Sequence, residues 1–418
     1  MFKKGQSVSM KNILRNLCVL EVFHAGPHFG PPLAIRNYLV KKAKCCLIVE
    51  LPLIPSKKDL SVRVELIAKG HSLLSFSTSR LRVENLTSNM SFKVAIYEVI
   101  SVLSLIGLLT RVIRKRIRFN IAIGVDPISV LICLFLKFLG STNLCIYAFY
   151  SDLMLKRFDN LFLDAVYKAL IKLEIRRVDY VWVAGPKMKA FLTYMYGLQS
   201  EKIIQVPNCA YIPVDRGTHY AGYKLVSAKS LVESSGIQLA IKALRKLVDK
   251  GRKVQLYIVG EGPYEGELRK LVDTLGLKDY VFFLGKRSHH DVMEIYKSCD
   301  VGLSTYVPYK LNPDRKWSNS YAEFIDCTIS TREYLAFGLP VIATEGMTIS
   351  SEIKNAGAGF SIPYSEDKLI EAIESLLDPN TYQQMSANAL KLGSMSWEDV
   401  LDSAFKQIMS RSQRTFEP

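Results

Sequence analysis

Short apolar runs alternate along this chain with stretches whose apolar positions recur every three or four residues. In the first half, strand patterns fall at 18–23, 46–51, 120–125, 144–149 and 180–184, with helical patterns between them, and Val206-Pro207-Asn208 closes the series. A second series restarts at 223–227. It continues with an amphipathic helix over 236–249, whose Leu239, Ala243, Leu244 and Leu247 share a face. Strand patterns at 254–259, 280–284 and 301–304 then alternate with helical ones at 264–275 and 290–298, and past Asp378 the pattern is helical to the end. Strands alternating with helices predict α/β architecture, with parallel sheets covered on both faces. Two such series in tandem predict two doubly wound, Rossmann-like domains facing a cleft, the natural ligand site. The expected division is 1–213, 214–378 and a helical tail over 379–418 that packs back across the junction.

The segment 330–344 carries the sharpest local signal. It reads as a helix with Glu333 at its start, ended by Gly338, and a turn through Pro340 feeds a buried strand, Val341-Ile342-Ala343-Thr344. That order places Glu333 and the free N–H groups of a helix N-terminus at one edge of a parallel sheet, where α/β proteins take phosphorylated ligands. An ordinary structural helix–turn–strand gives the same pattern.

Composition is that of a globular chain, 49% hydrophobic and 22% charged, long enough for two or three domains. The eight cysteines sit mostly inside apolar runs without paired Cys-x-x-Cys spacing, so they read as reduced core thiols of a cytoplasmic protein. The first twenty residues mix Lys3, Lys4, Lys11 and Arg15 with an apolar run too short for a signal peptide. The net charge of +16 asks for a partner. No basic motif interleaved with aromatics is present, which argues against nucleic acid. The densest cations, Arg111, Arg114, Lys115, Arg116 and Arg118, follow an apolar helical stretch at 99–109 that is too short to span a bilayer. The pair suits a segment lying on an anionic membrane surface, or equally a core helix with a solvated basic end. A second apolar run, 128–139, reads as an internal helix.

A buried strand ends at Val259-Gly260-Glu261-Gly262-Pro263, where two glycines let the backbone turn and approach a ligand. Glu267-Leu268 follows on a helix, then Val281-Phe282-Phe283-Leu284-Gly285, Ile295-Tyr296 and Cys299-Asp300-Val301. From about residue 223 to 377 this order resembles the donor-binding domain of retaining GT-B glycosyltransferases of the large group 1, family-four class. The first half is similar to the acceptor domains of that class in architecture and in a few loops.

The resemblance implies a set of site residues. The second glutamate of the family's Glu-x7-Glu motif, which hydrogen-bonds the donor ribose, matches Glu333. The first falls at Ile325, with Glu323 and Asp326 close by but out of register. The arginine and lysine that hold the diphosphate correspond to Ser230 and Ser235, so two cations worth several kcal/mol are missing. Lys229 and Arg332 lie within reach of the same space, and Lys310, Arg315 and Lys316 lie in an adjacent loop. Ser330, Thr331, Gly260, Gly262 and Lys286 complete the expected donor-binding set. In the first half, the loop after the first strand carries Gly26, His28 and Gly30, matching a phosphate and acceptor loop; His28 is a phosphate donor or a plain surface histidine. Asp126 and Asp152 end strands that face the cleft. Asp126 is also an excellent helix cap before Pro127, and Asp152, with His28, is the expected catalytic group.

What the resemblance implies for function is a retaining, metal-independent hexosyltransferase, needing no cofactor, that uses a nucleotide-diphosphate sugar. Its acceptor would be lipid-linked or a growing glycan, at the inner face of the cell membrane. An enzyme of the same fold using a lipid-phosphate sugar, and a catalytically silent glycan-binding protein, remain open.

Overall fold

The computed structural model describes residues 14, 17–24, 30–51, 62–77, 117–149, 160–211, 224–308 and 326–412. The first lobe contains β1 (Cys18–His24), α1 (Pro31–Lys42), β2 (Cys45–Leu51), β3 (Arg63–Ala68), β4 (His71–Ser77), β5 (Phe119–Gly124), α2 (Pro127–Phe138), β6 (Thr142–Phe149), α3 (Leu161–Arg177), β7 (Tyr180–Val183), α4 (Pro186–Tyr196) and β8 (Ile203–Gln205). Its eight strands run in the order β4-β3-β2-β1-β5-β6-β7-β8. All neighbours pair in parallel except β2–β3 and β3–β4, which are antiparallel. Side chains alternate across β1 as a strand of a two-faced sheet requires. Val19 and Phe23 join the layer under α1, and Leu20 and Val22 join the layer under α2, α3 and α4.

The second lobe holds β9 (Lys224–Ala228), α5 (Ile237–Asp249), β10 (Gln255–Val259), α6 (Glu265–Thr274), β11 (Val281–Gly285), α7 (His289–Ser298), β12 (Val301–Ser304), α8 (Ile329–Ala336), β13 (Val341–Thr344), α9 (Thr348–Ala356), β14 (Gly359–Ile362), α10 (Glu366–Leu376) and α11 (Pro379–Leu392). Six parallel strands lie in the order β11-β10-β9-β12-β13-β14, the doubly wound arrangement read from the sequence. The last helix, α12 (Trp397–Arg411), returns to the first lobe and packs beside α1. Phe405 stacks on Tyr38 at 5.6 Å and meets Trp182 edge-on at 5.3 Å, while Tyr38 donates to Asp402 at 2.5 Å.

Several local expectations change. The hairpin β3–β4 was not legible, because His71–Ser75 are exposed on an edge strand and so form no apolar run. Strands β8 and β14 are too short, or too polar, to announce themselves. Cys18 and Cys45 are not free thiols: paired across β1 and β2, they form a disulfide, and the other six cysteines are buried and form none. The run 128–139 does form a helix, yet Phe135, Phe138 and Leu139 stand on its solvent side. The segment 99–109, the cations Arg111, Arg114, Lys115 and Arg116, and the expected boundary at 213/214 lie outside the described residues. Arg118 is described and is exposed.

Glu174 of α3 is buried with neither carboxylate oxygen partnered among the described residues. Burial, reinforced by Asp126 and Cys145, pushes its carboxyl up to about 9. The folded chain therefore holds Glu174 neutral while the unfolded chain ionises near the ordinary carboxylate value. This stabilising difference is intact below the ordinary carboxylate value, shrinks steadily as pH rises from there, and is gone above about 9. Glu174→Gln is expected to leave the melting temperature at pH 5 nearly unchanged and to raise it at pH 8. A shift of equal size at both values would show that the carboxyl is not neutral in the fold.

Candidate functional site

Parallel strands bring their C-terminal ends to one edge, so the loops leaving β9, β10 and β11 converge there with the N-termini of α7 and α8. They enclose a cavity of about 530 Å³. The second lobe supplies most of its wall, and Pro31 and Asn208 reach it from the first lobe and its exit strand.

Helix α8 is buried from Thr331 to Ala336, and its first residues, Ile329 and Ser330, open onto the cavity. Thr328 caps it, accepting weakly from the Thr331 N–H at 3.4 Å. Successive helix residues point about 100° apart, so Ser330 and Glu333, three apart, face the same way. Both line the cavity. Thr331 and Arg332 do not. The Thr331 hydroxyl is shared with Ser304 at 2.8 Å and Thr328 at 2.7 Å, and the Arg332 guanidinium turns to Glu352 at 2.9 Å. Arg332 therefore does not reach the space of the missing cations.

Glu333 sits one turn inside the helix and not at its first residue. Its Oε1 lies 2.6 Å from His289 Nε2, and its Oε2 accepts from the Tyr296 hydroxyl at 3.3 Å. Burial, then the neighbouring Glu333 charge, raises the Tyr296 phenol well above its usual value, so it stays a donor. The His289 ring also meets Tyr211 edge-on at 5.5 Å. His289 and Tyr296 escaped the sequence reading. The available signal was Ser288, which caps α7 by accepting from Asp291 and so starts the helix at His289.

The loop after β9 carries Ser230 and Ser235, with Lys229 beside them. Ser235 is buried, its hydroxyl donating to Ser230 O at 2.6 Å, whereas Ser230 is exposed at the cavity wall. Lys229 Nζ turns inward, donating to Ser235 O at 2.9 Å and Thr305 O at 3.1 Å, 4.2 Å from the Tyr306 ring centre. Only part of the Lys229 residue is covered, but its ammonium end is enclosed, and that burial pulls it down to about 7. Gly260 lines the cavity with φ 132°, and a Cβ there would stand 2.1 Å from Lys229 O. Only glycine lets the two loops touch. Gly262 performs the same service against Leu231 O behind the wall. Lys286 lines the cavity and pairs with Glu261 at 3.1 Å, an exposed contact that holds it weakly.

In the first lobe, Gly30 caps α1 beside Pro31, with φ 133°. Asp126 caps α2, accepting from Ser129 N at 3.0 Å and Ser129 Oγ at 2.6 Å, and it does not line the cavity. Gly26, His28 and Asp152 lie outside the described residues. Removing the nearer partner of a buried carboxylate costs roughly 1–3 kcal/mol. His289→Ala is expected to lower the unfolding free energy by that amount in urea titrations; an unmoved midpoint would mean that the His289–Glu333 contact contributes nothing.

Residues 222–379 match the family model described as glycosyl transferases group 1. The chain is 25% identical over 147 residues to a putative colanic acid biosynthesis glycosyltransferase, WcaL, of Escherichia coli, covering 35% of this chain and 34% of that protein. It thus spans about a third of the length of the curated relatives it matches. Among solved structures, a sucrose-phosphate synthase from Thermosynechococcus elongatus superposes with a TM-score of 0.66 at 16% identity, over 94% of this chain and all of that one. Anabaena Alr3699/HepE, solved in complex with UDP, superposes with a TM-score of 0.63 at 14% identity and the same coverage. These likenesses establish the GT-B fold.

Proposed function

We propose, from a second lobe that belongs to the glycosyl transferases of group 1, that this chain is a retaining glycosyltransferase. It moves a hexose-type sugar from a nucleotide-diphosphate donor onto a lipid-linked or growing glycan. The observation that carries this reading is the convergence of Glu333, the capped N-terminus of α8 and Lys229 on one cavity. In this reading Glu333 accepts hydrogen bonds from the donor ribose, exchanging His289 or Tyr296 for them. The free N–H groups at the start of α8 and the Lys229 ammonium stabilise charge on the phosphates. The acceptor hydroxyl attacks the anomeric carbon as its bond to the diphosphate breaks. The departing phosphate oxygen takes the hydroxyl proton on the same face, so configuration is retained. The chain's task is electrostatic, and it needs no nucleophile of its own. Ser230 and Ser235 favour a second reading, in which the donor carries one phosphate on a lipid and fewer cations suffice.

An acceptor at the inner membrane face is supported by α3. Leu161, Phe162, Val166 and Leu173 are exposed on it beside exposed Lys168, Lys172, Arg176 and Arg177, while its two acids, Asp164 and Glu174, are buried. An apolar and cationic helix face suits anionic lipid. Among the described residues no helix is long and apolar enough to cross a membrane.

Glu333→Ala should weaken UDP binding by roughly 1–3 kcal/mol, the loss expected for a charged hydrogen-bond partner, without changing the circular dichroism. Unaltered affinity removes the nucleotide-sugar reading. A phosphate favours the charged form of Lys229, which titrates at about 7. UDP affinity should therefore fall between pH 7 and 9, and Lys229→Met should abolish that fall. For the membrane, the protein should sediment with vesicles containing anionic lipid, leave them at high salt, and lose binding when Arg114, Lys115 and Arg116 become glutamate. Equal partition onto neutral vesicles, or none onto either, makes a soluble acceptor the better reading.

A further inference from the structure

Asp326 is the carboxylate nearest the vacant first position of the Glu-x7-Glu pattern, yet it does not line the cavity. It is buried at the junction of the lobes, 4% exposed. Its Oδ1 accepts from Lys187 N at 3.2 Å and its Oδ2 from Met188 N at 3.5 Å, the second and third residues of α4 in the first lobe. Thr348 Oγ donates to Oδ1 from its own lobe, and Ile349 N to its carbonyl at 2.9 Å. Helix α4 begins at Gly185, which has no side chain to cap it. A Cβ on Gly185 would stand 2.3 Å from Asp326 Cγ. Gly185 is extended, with φ −178°, so its lack of a side chain serves this approach and not an unusual backbone. Beside it Lys187 Nζ reaches Gly346 O, and Asn208 Nδ2 donates to Cys327 O at 2.9 Å.

A helix N-terminus offers unsatisfied N–H groups and positive potential, which a carboxylate normally supplies from the preceding residue. Here it comes from across the junction, 139 residues away in sequence. The residues after Asp326, from Cys327 to Ser330, line the cavity. We infer that Asp326 is a positioning residue. It caps α4 in trans and fixes the first lobe over the loop that forms the cavity wall, setting the closed spacing of the two lobes. Only the turnover arm of its test rests on the transferase reading.

The test uses the full chain and substitutions from both sides of the contact: Asp326→Ala and Asp326→Asn in one lobe, Gly185→Ala in the other. Small-angle scattering without nucleotide should give Asp326→Ala and Gly185→Ala a larger radius of gyration than the parent. The Asp326→Ala/Gly185→Ala double variant should open no further than either single, since both break one contact. Asp326→Asn, which keeps the volume and loses the charge, should fall between. Turnover should drop on the order of 10- to 100-fold, as misplacement across a cleft does, while UDP affinity stays near the parent's. If Asp326→Ala does not fold, Gly185→Ala and Asp326→Asn decide alone. Unchanged radii in both single variants, or additive opening in the double, overturn the proposal. Opened variants of a protein that binds no UDP would leave the clasp standing and remove the transferase reading; unopened variants of one that binds UDP would do the reverse.

Discussion

Burial of helix α8 beyond its first two residues is the constraint from which the cavity follows. Thr331, Arg332, Glu333, Tyr334, Leu335 and Ala336 are all enclosed, so the helix has no freedom to roll or slide. A carboxylate and a guanidinium in such a place must find partners inside the protein. Glu333 finds His289 and Tyr296, and Arg332 finds Glu352. Those pairings decide which polar groups remain to meet a ligand. Tyr334, on the same helix, accepts from Ala228 N at 2.7 Å and so ties the end of β9 to it. The loop carrying Lys229 starts from that tie.

Lys229 and the two serines give the loop after β9 one inward-held cation and an uncharged residue at its exposed wall position. A longer side chain at Ser230 would start from an exposed position on the cavity wall. Lys229 instead lies under the loop, spending two of its three donors on carbonyls and resting against Tyr306. A cation held this way is well placed but poorly solvated, which makes its charge conditional on pH.

Periodicity carried much of this architecture. In the second lobe, the apolar strands β9 to β13 and the strongly amphipathic α5 were legible to within a residue or two. Glu333 was legible because a helix–turn–strand order fixes where a side chain emerges. Arg332 was misplaced by helix phase: Ser330 and Glu333, three apart, line the cavity, whereas Arg332 points to Glu352. His289 and Glu333 are 44 residues apart, and Asp326 and α4 139 apart. Contacts between distant loops leave no spacing to count. The disulfide was hidden for the same reason, since pairing of Cys18 with Cys45 depends on the register of β1 on β2. Edge strand β4 was lost because an edge needs no apolar run.

Helix α12 makes the chain cross between lobes twice, once after β8 and once before Trp397. The two crossings touch, Ala210 bridging to Ser396 in parallel. A joint of two adjacent strands bends about the line that holds them and resists twisting, as a door on two hinges does. It also separates covalent order from structural unit. Ending the chain after the second sheet would strip Trp397, Leu401 and Phe405 from the first lobe's core and leave Tyr38 and Trp182 bare. A fragment meant to isolate the first lobe must carry the far end of the chain with it, and a circular permutant opened within 212–220 would keep each lobe's residues contiguous.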